Sequence, residues 1–317
     1  MTSYSKEYLS KLAMETDFIR DNLEKVVRLV DILEFINANP FLSERLALKG
    51  GTAINLIVFD MPRLSVDIDF DYTLNTDKDT MLTDKNEIHR IIEGYLTSNR
   101  YFFSQHSKSP HTLDSMVFQY VNSAGNTDNI KIEINYGMRC HVLQTEFSEI
   151  NVPFLKKIAI RSLSPVELFG GKIKALIERN ACRDLFDINN LVDHQYLQTL
   201  DKDLLRKIVV FYLAVGGNDL PQKHYDFEAI SNISFKKIRA SLIPMLRKSE
   251  TFNFEDAKTQ VKNFLNELMV FTDAECEFIN NFNRGKYTPE LLFDNKEIVQ
   301  RVEYHPMAIW KIQNFNS

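Results

Sequence analysis

Three aspartates, Asp67, Asp69 and Asp71, occupy every second position of Val66-Asp67-Ile68-Asp69-Phe70-Asp71-Tyr72. Strict alternation of acidic and apolar residues predicts a strand, with the carboxylates on one face and Val66, Ile68, Phe70 and Tyr72 on the other. Aspartate is a poor strand former, and like charges on one face repel one another. Residues two apart on a strand lie roughly 6.5–7 Å apart along its axis, so two such carboxylates can lean toward one divalent cation. A hard ion such as Mg²⁺ takes oxygen ligands and keeps waters and substrate phosphates in its shell. Asp67 and Asp69 are therefore candidate metal ligands. The alternative is an edge strand that uses negative charge against aggregation.

A second alternating stretch, Ile130-Lys131-Ile132-Glu133-Ile134-Asn135-Tyr136, places Glu133 at the centre of its polar face. If the two strands are neighbours, Glu133 supplies a third carboxylate; otherwise it is one half of a pair with Lys131 or another lysine. Upstream runs Leu48-Lys49-Gly50-Gly51-Thr52-Ala53. A Gly-Gly pair entering a helix lets the backbone approach a phosphate, with helix N–H groups and the Thr52 hydroxyl as donors. It is neither a Walker loop nor a dinucleotide fingerprint, and a plain turn capped by Thr52 is the alternative. Arg63 and Ser65, just ahead of the acidic strand, are further candidate phosphate contacts.

These residues need elements to hold them. Apolar residues from Ile19 to Ile36 recur at three- and four-residue steps and predict one helix over 17–37, with Asp17 as its cap. A short helical stretch follows, up to Gly50-Gly51. Strands are expected over 101–106, 116–122, 130–136 and 154–161, with a helix over 84–96. The turn-rich Asn122-Ser123-Ala124-Gly125-Asn126 makes the 116–122 and 130–136 strands an antiparallel hairpin. After Pro165 the strand signals stop, and helices are expected over 166–179 and 184–194. Asp184 then stands where an N-cap belongs, with Asp187 in a position resembling a capping box. Strands followed by helices predict an α+β protein with a mixed sheet. The expected division is a first domain over 1–164, including the N-terminal helix, and a mainly helical domain over 165–317.

Composition narrows the function classes. The chain has 317 residues, 44% hydrophobic and 26% charged, which excludes intrinsic disorder and low-complexity polymers. No apolar run is long enough to span a bilayer, and the first twenty residues carry no apolar signal block, so a cytoplasmic protein without membrane contact is expected. Three scattered cysteines and seven histidines show no disulfide framework or zinc spacing. Net charge is −5, yet two basic stretches stand out. One runs from Lys156 to Arg183; the other holds Lys223, Lys236, Lys237, Arg239, Arg247 and Lys248. Such local surface can hold phosphates on an acidic protein, although any single lysine is explained by a solvated helix face.

Taken together, the Gly-Gly turn, the strand with two spaced aspartates and the later strand with one central carboxylate resemble the nucleotidyltransferase superfamily shared with polymerase β. Lys49-Gly50-Gly51-Thr52 with Arg63-Leu64-Ser65-Val66-Asp67-Ile68-Asp69-Phe70 is similar to the signature of the AbiEii/AbiGii nucleotidyltransferase-like toxins. Lys172-Ile173-Lys174-Ala175-Leu176 and Arg179, followed by Arg183-Asp184-Leu185-Phe186-Asp187-Ile188, are similar to that family's helical motif. The resemblance spans about Leu46 to Val192. It implies a toxin of a type IV toxin–antitoxin or abortive-infection system, paired with a winged-helix antitoxin, that transfers NMP from an NTP with Mg²⁺, two ions being expected. The tRNA 3′ end is the implied acceptor, through the MenT-type relatives. It further implies that Asp67 and Asp69 bind metal, with Glu133 as third ligand or base. Gly50, Gly51 and Thr52 would hold the triphosphate, and Lys172 and Asp184 would complete the site from the helical half. Two alternatives stay open: a small-molecule or protein hydroxyl as acceptor, and a non-catalytic nucleotide-binding module of a toxin–antitoxin pair.

Overall fold

The structure, a computed structural model, describes residues 4–150, 152–193, 196–216 and 225–314. The chain forms two compact units. One comprises residues 1–139, 145–163 and 243–250, the other 140–144, 164–242 and 251–317.

The first unit holds a mixed sheet of β1 (Leu46–Lys49), β2 (Asp67–Tyr72), β3 (Phe102–Phe103), β4 (Leu113–Val121), β5 (Thr127–Asn135), β6 (Glu146–Glu149) and β7 (Ala159–Ser162), in the order β3-β4-β5-β2-β1-β7-β6. The strand β2 lies near the centre, parallel to β5 and antiparallel to β1. Alternation fixes which way each side chain points. Ile68, Phe70 and Tyr72 share a face with Leu46 and Leu48 of β1 and with Ile130, Ile132 and Ile134 of β5, and all are buried. The helices α1 (Lys6–Thr16) and α2 (Arg20–Ala38) precede the sheet, and α3 (Gly50–Ala53) follows β1 directly. A long helix, α4 (Lys78–Ser98), lies on the apolar face of the sheet: its Asp84 accepts from the Tyr72 hydroxyl at 2.6 Å, and its Tyr95 stacks on Phe35 of α2. Among the described residues no helix is long and apolar enough to cross a membrane.

The second unit is helical in its described part. Its elements include α5 (Pro165–Arg179), α6 (Cys182–Asp193), α7 (Lys202–Val215), α8 (Phe235–Ser241) and α9 (Phe254–Leu268). Nearly every residue of α7 from Ile208 to Val215 is buried, and α5 packs against it closely enough that Gly170 faces the Ile208 side chain.

Several local expectations change. The helix expected over 17–37 is present as α2 with its start moved to Arg20, and a separate helix, α1, precedes it. Asp17 does not cap α2: it closes α1 in the left-handed region (φ 61°), a conformation short polar side chains tolerate, and its carboxylate accepts from the Ser249 amide. The stretch before Gly50 holds the expected short helix, Pro40–Ser43, and then a strand, β1, because four residues (Leu-Ala-Leu-Lys) carry no usable periodicity and pairing between β2 and β7 decides. The 101–106 strand shrinks to two residues and the 154–161 strand to Ala159–Ser162. The helix expected over 184–194 starts instead at Cys182, so Asp184 lies within its first turn and is not the N-cap. His194, its expected last residue, lies outside the described residues.

Ile132 pairs with both Ile68 and Met116 on the buried face and is fully buried. Ile132→Ala is expected to cost about 2–5 kcal/mol, the range for a large-to-small change in a packed core. A urea midpoint shift below that range would show that the sheet is not the unit's folding core.

Candidate active site

On the polar face of β2 the register sets the neighbours. Asp69 stands opposite Glu133 of β5 and Lys49 of β1, while Asp67 stands opposite Lys131. The two strands singled out by their alternation are thus adjacent. The three aspartates are not equivalent. Asp71 is nearly buried and takes the Lys49 ammonium at 2.5 Å, so its charge is offset within the sheet. Asp67 and Asp69 are half-buried. Glu133 faces the Lys131 ammonium at 2.9 Å. As the side chains stand, no three His, Cys, Asp or Glu among the described residues are gathered closely enough to ligate one ion. The orientation of Glu133 toward Lys131 is a physical reason for this.

The Gly-Gly turn sits directly against the aspartates. Gly50 has φ 71°, and a Cβ placed on it would collide with Oδ2 of Asp69. A Cβ on Gly51 would come within 2.6 Å of the Arg63 guanidinium and 3.2 Å of Ser65 Oγ. A side chain at either position would have to displace the Asp69 carboxylate or the Arg63 guanidinium, and at Gly50 it would also strain the backbone. Thr52 is fully buried; its hydroxyl donates to the carbonyl of Asp67 at 2.5 Å and lies 3.0 Å from Ser65 Oγ. It ties the start of α3 to the start of β2, so the hydroxyl is engaged within the protein. Arg63 is 1% exposed and donates to the Leu64 carbonyl, beneath the turn. Lys49, Gly50, Gly51, Thr52, Arg63, Ser65, Asp67, Asp69 and Glu133 thus occupy one end of one sheet in the first unit.

This donor set suits a hard cation. Two carboxylates at i and i+2 beside a turn that can approach a phosphate match an ion that fills its remaining positions with water and phosphate oxygens.

Lys172 and Asp184 belong to the second unit, where they form a compact cluster. Lys172 is 6% exposed, and its ammonium lies 2.9 Å from Asp184 and 3.1 Å from the fully buried Asp187. Arg179 donates to both oxygens of Asp184, at 2.6 and 2.9 Å. Burial opposes ionisation of Asp184, but Lys172 and Arg179 outweigh it and hold the carboxyl at about 2. A carboxylate held that low is a poor proton acceptor near neutral pH, so the arrangement suits Asp184 to fixing Lys172. Arg179 and Asp187 had no chemical role in the sequence reading. Helical spacing was their signal: Lys172 and Arg179 are seven residues apart on α5, and Asp184 and Asp187 three apart on α6.

A family model described as nucleotidyl transferase AbiEii toxin, type IV TA system, matches residues 31–283. No curated protein matches. Among solved structures, MenT4, a nucleotidyltransferase toxin from Mycobacterium tuberculosis H37Rv, is similar over 97% of this chain and 99% of its own, with a TM-score of 0.63 and 14% identity. At that identity the likeness is one of fold.

Two outcomes follow from the geometry. Gly50→Ala is expected to lose about 1–2 kcal/mol from left-handed strain alone, read as a lower urea midpoint; an unchanged midpoint would mean the turn relaxes without cost. The Asp184 carboxyl is depressed from 3.8 to about 2 by its partners. Its contribution to stability is therefore complete above the unfolded value and is lost as pH falls through the folded one. Thermal melting between pH 5 and 2 is expected to fall less steeply in Asp184→Asn than in the wild type, and parallel curves would refute the pairing.

Proposed function

Because the chain belongs to the AbiEii nucleotidyltransferase toxin family of type IV toxin–antitoxin systems, we propose that it transfers NMP from an NTP to the 3′ end of a tRNA, releasing pyrophosphate in a Mg²⁺-dependent reaction. The observation that carries this reading is the Gly50-Gly51 turn packed against Asp69, with Glu133 in register beside it. Bound Mg²⁺, two ions on this reading, supplies positive charge to the attacking and leaving oxygens.

The chain's own residues then divide the work. Asp67 and Asp69 would hold the metal, Asp69 lying against the glycine turn and in register with Glu133. Glu133, now paired with Lys131, would serve as a further ligand or as the base for the attacking hydroxyl. The N–H groups of Gly50, Gly51 and Thr52, which open a helix and lack intrahelical acceptors, bind the triphosphate. Lys49 divides its ammonium between Asp71 and phosphate. Arg63 and Ser65 shape the turn from behind, Ser65 through its contact with Thr52. Lys172 is the second unit's proposed source of positive charge, and Asp184 fixes the direction of its ammonium. The family implies an antitoxin partner; a winged-helix antitoxin and a cytoplasmic location are part of the proposal.

Incubation with total tRNA, Mg²⁺ and each labelled NTP in turn tests the reading. One NTP is expected to label tRNA, and chelation to stop it. Asp69→Asn is expected to lose on the order of 10²–10³-fold or more in transfer rate, with the fold intact because a repelling charge has gone. Glu133→Gln is expected to lose less, since Lys131 already offsets its charge. Label in protein or a small molecule in place of tRNA would move the acceptor, and a near wild-type Asp69→Asn would end the metal-ligand assignment. Expression is expected to inhibit bacterial growth, and Asp67→Ala to relieve it; equal inhibition at matched expression would count against the role of Asp67.

A further inference from the structure

Most of the basic residues that stand out in the sequence are already engaged. Lys156, Lys172, Lys174 and Arg179 are each in ion pairs. Arg247 donates to the Thr16 carbonyl and covers the Phe18 ring. Lys223 lies outside the described residues. On α8, Lys236, Lys237 and Arg239 are exposed and pair with no carboxylate among the described residues.

The helix is short, and its only buried side chain is Ile238. Its first turn contains no acid, and Lys236 and Lys237 both fall there, where the helix dipole disfavours cations. Nothing within α8 offsets that cost. Phe235 is 62% exposed on the same short helix. At 100° per residue Phe235, Lys236 and Arg239 fall within one third of the helix circumference, with Lys237 on the adjoining flank. Cations interleaved with an exposed aromatic face are the chemistry that binds single-stranded nucleic acid: the cations take phosphates, and the ring stacks on a base. An acidic polypeptide would use the cations and leave the ring without a matching surface.

The position of α8 is also informative. Cys182, the first residue of α6, has its Sγ 3.0 Å from Ser241 Oγ and 3.7 Å from the Lys237 carbonyl. Two residues further along α6 is Asp184, the partner of Lys172. We propose that the Phe235–Arg239 face of α8 is the docking surface for the single-stranded end of the acceptor RNA, with Phe235 stacking on a base and Lys236, Lys237 and Arg239 binding the backbone. This rests on the tRNA reading of the function.

The test is fluorescence anisotropy of labelled total tRNA with the full chain, without NTP, over a series of KCl concentrations. The variants are the triple Lys236→Gln/Lys237→Gln/Arg239→Gln and Phe235→Ala, with thermal melting as the fold control. Each phosphate contact with single-stranded nucleic acid contributes about 0.7 to the slope of log K against log[salt]. The triple variant is expected to lose about 2 from that slope, and Phe235→Ala to bind at least about fivefold more weakly with its slope unchanged. NTP binding, measured by equilibrium dialysis, is expected to stay at wild-type strength in both. If the wild type binds tRNA and both variants match it in affinity and slope, the docking surface is wrong while the transferase reading stands. Loss of binding to polyglutamate with tRNA binding intact would likewise overturn it. If the wild type binds no tRNA yet transfers NMP elsewhere, the acceptor assignment and this surface fall together.

Discussion

Burial of one face of β2 is the constraint on which the rest of the site depends. Asp67, Asp69 and Asp71 repel one another, and aspartate has little intrinsic tendency to form strand. The strand persists because Ile68, Phe70 and Tyr72 are packed between β1, β5 and the helices above, and a shift of one residue would drive three carboxylates into that core. Register is therefore fixed by the apolar face and expressed on the polar one. Asp69 opposite Glu133 is a consequence of Phe70 and Ile68 meeting Ile134 and Ile132.

Charge in this acidic row and its neighbour is partly offset within the sheet. Lys49 offsets Asp71 and Lys131 faces Glu133. Asp69 lies against the Gly50-Gly51 turn, whose missing side chains leave room for its carboxylate and for the Arg63 guanidinium. Thr52, by binding the Asp67 carbonyl, makes the turn and the strand move as one piece.

The second unit meets a different form of the same problem. Lys172 is buried with two carboxylates, and removing it would leave their charge uncompensated in a poorly solvated place, which is far more costly than losing the net strength of one pair. Such a cluster holds its ammonium in one direction. Arg179, more than half exposed, closes the cluster on its solvent side.

The sequence by itself determined the elements whose side chains alternate or recur: β2, the β4–β5 hairpin, α5, and the chemical kind of each residue at the site. Period-two patterning is local, so Asp67, Asp69 and Glu133 could be read onto polar faces before any neighbour was known. Only the tertiary structure decided what each charge faces. That Asp71 belongs to Lys49, that Glu133 stands beside Asp69 yet turns to Lys131, and that Arg63 lies buried beneath Gly51 depend on strands and turns brought together from separate parts of the chain. The same holds for β1, too short for its own pattern and defined by its two partners, and for Asp184, whose carboxylate answers to Lys172 and Arg179 from the preceding helix. Local periodicity fixes a side chain's direction; charge pairing acts through space, between residues whose separation along the chain says little about their distance.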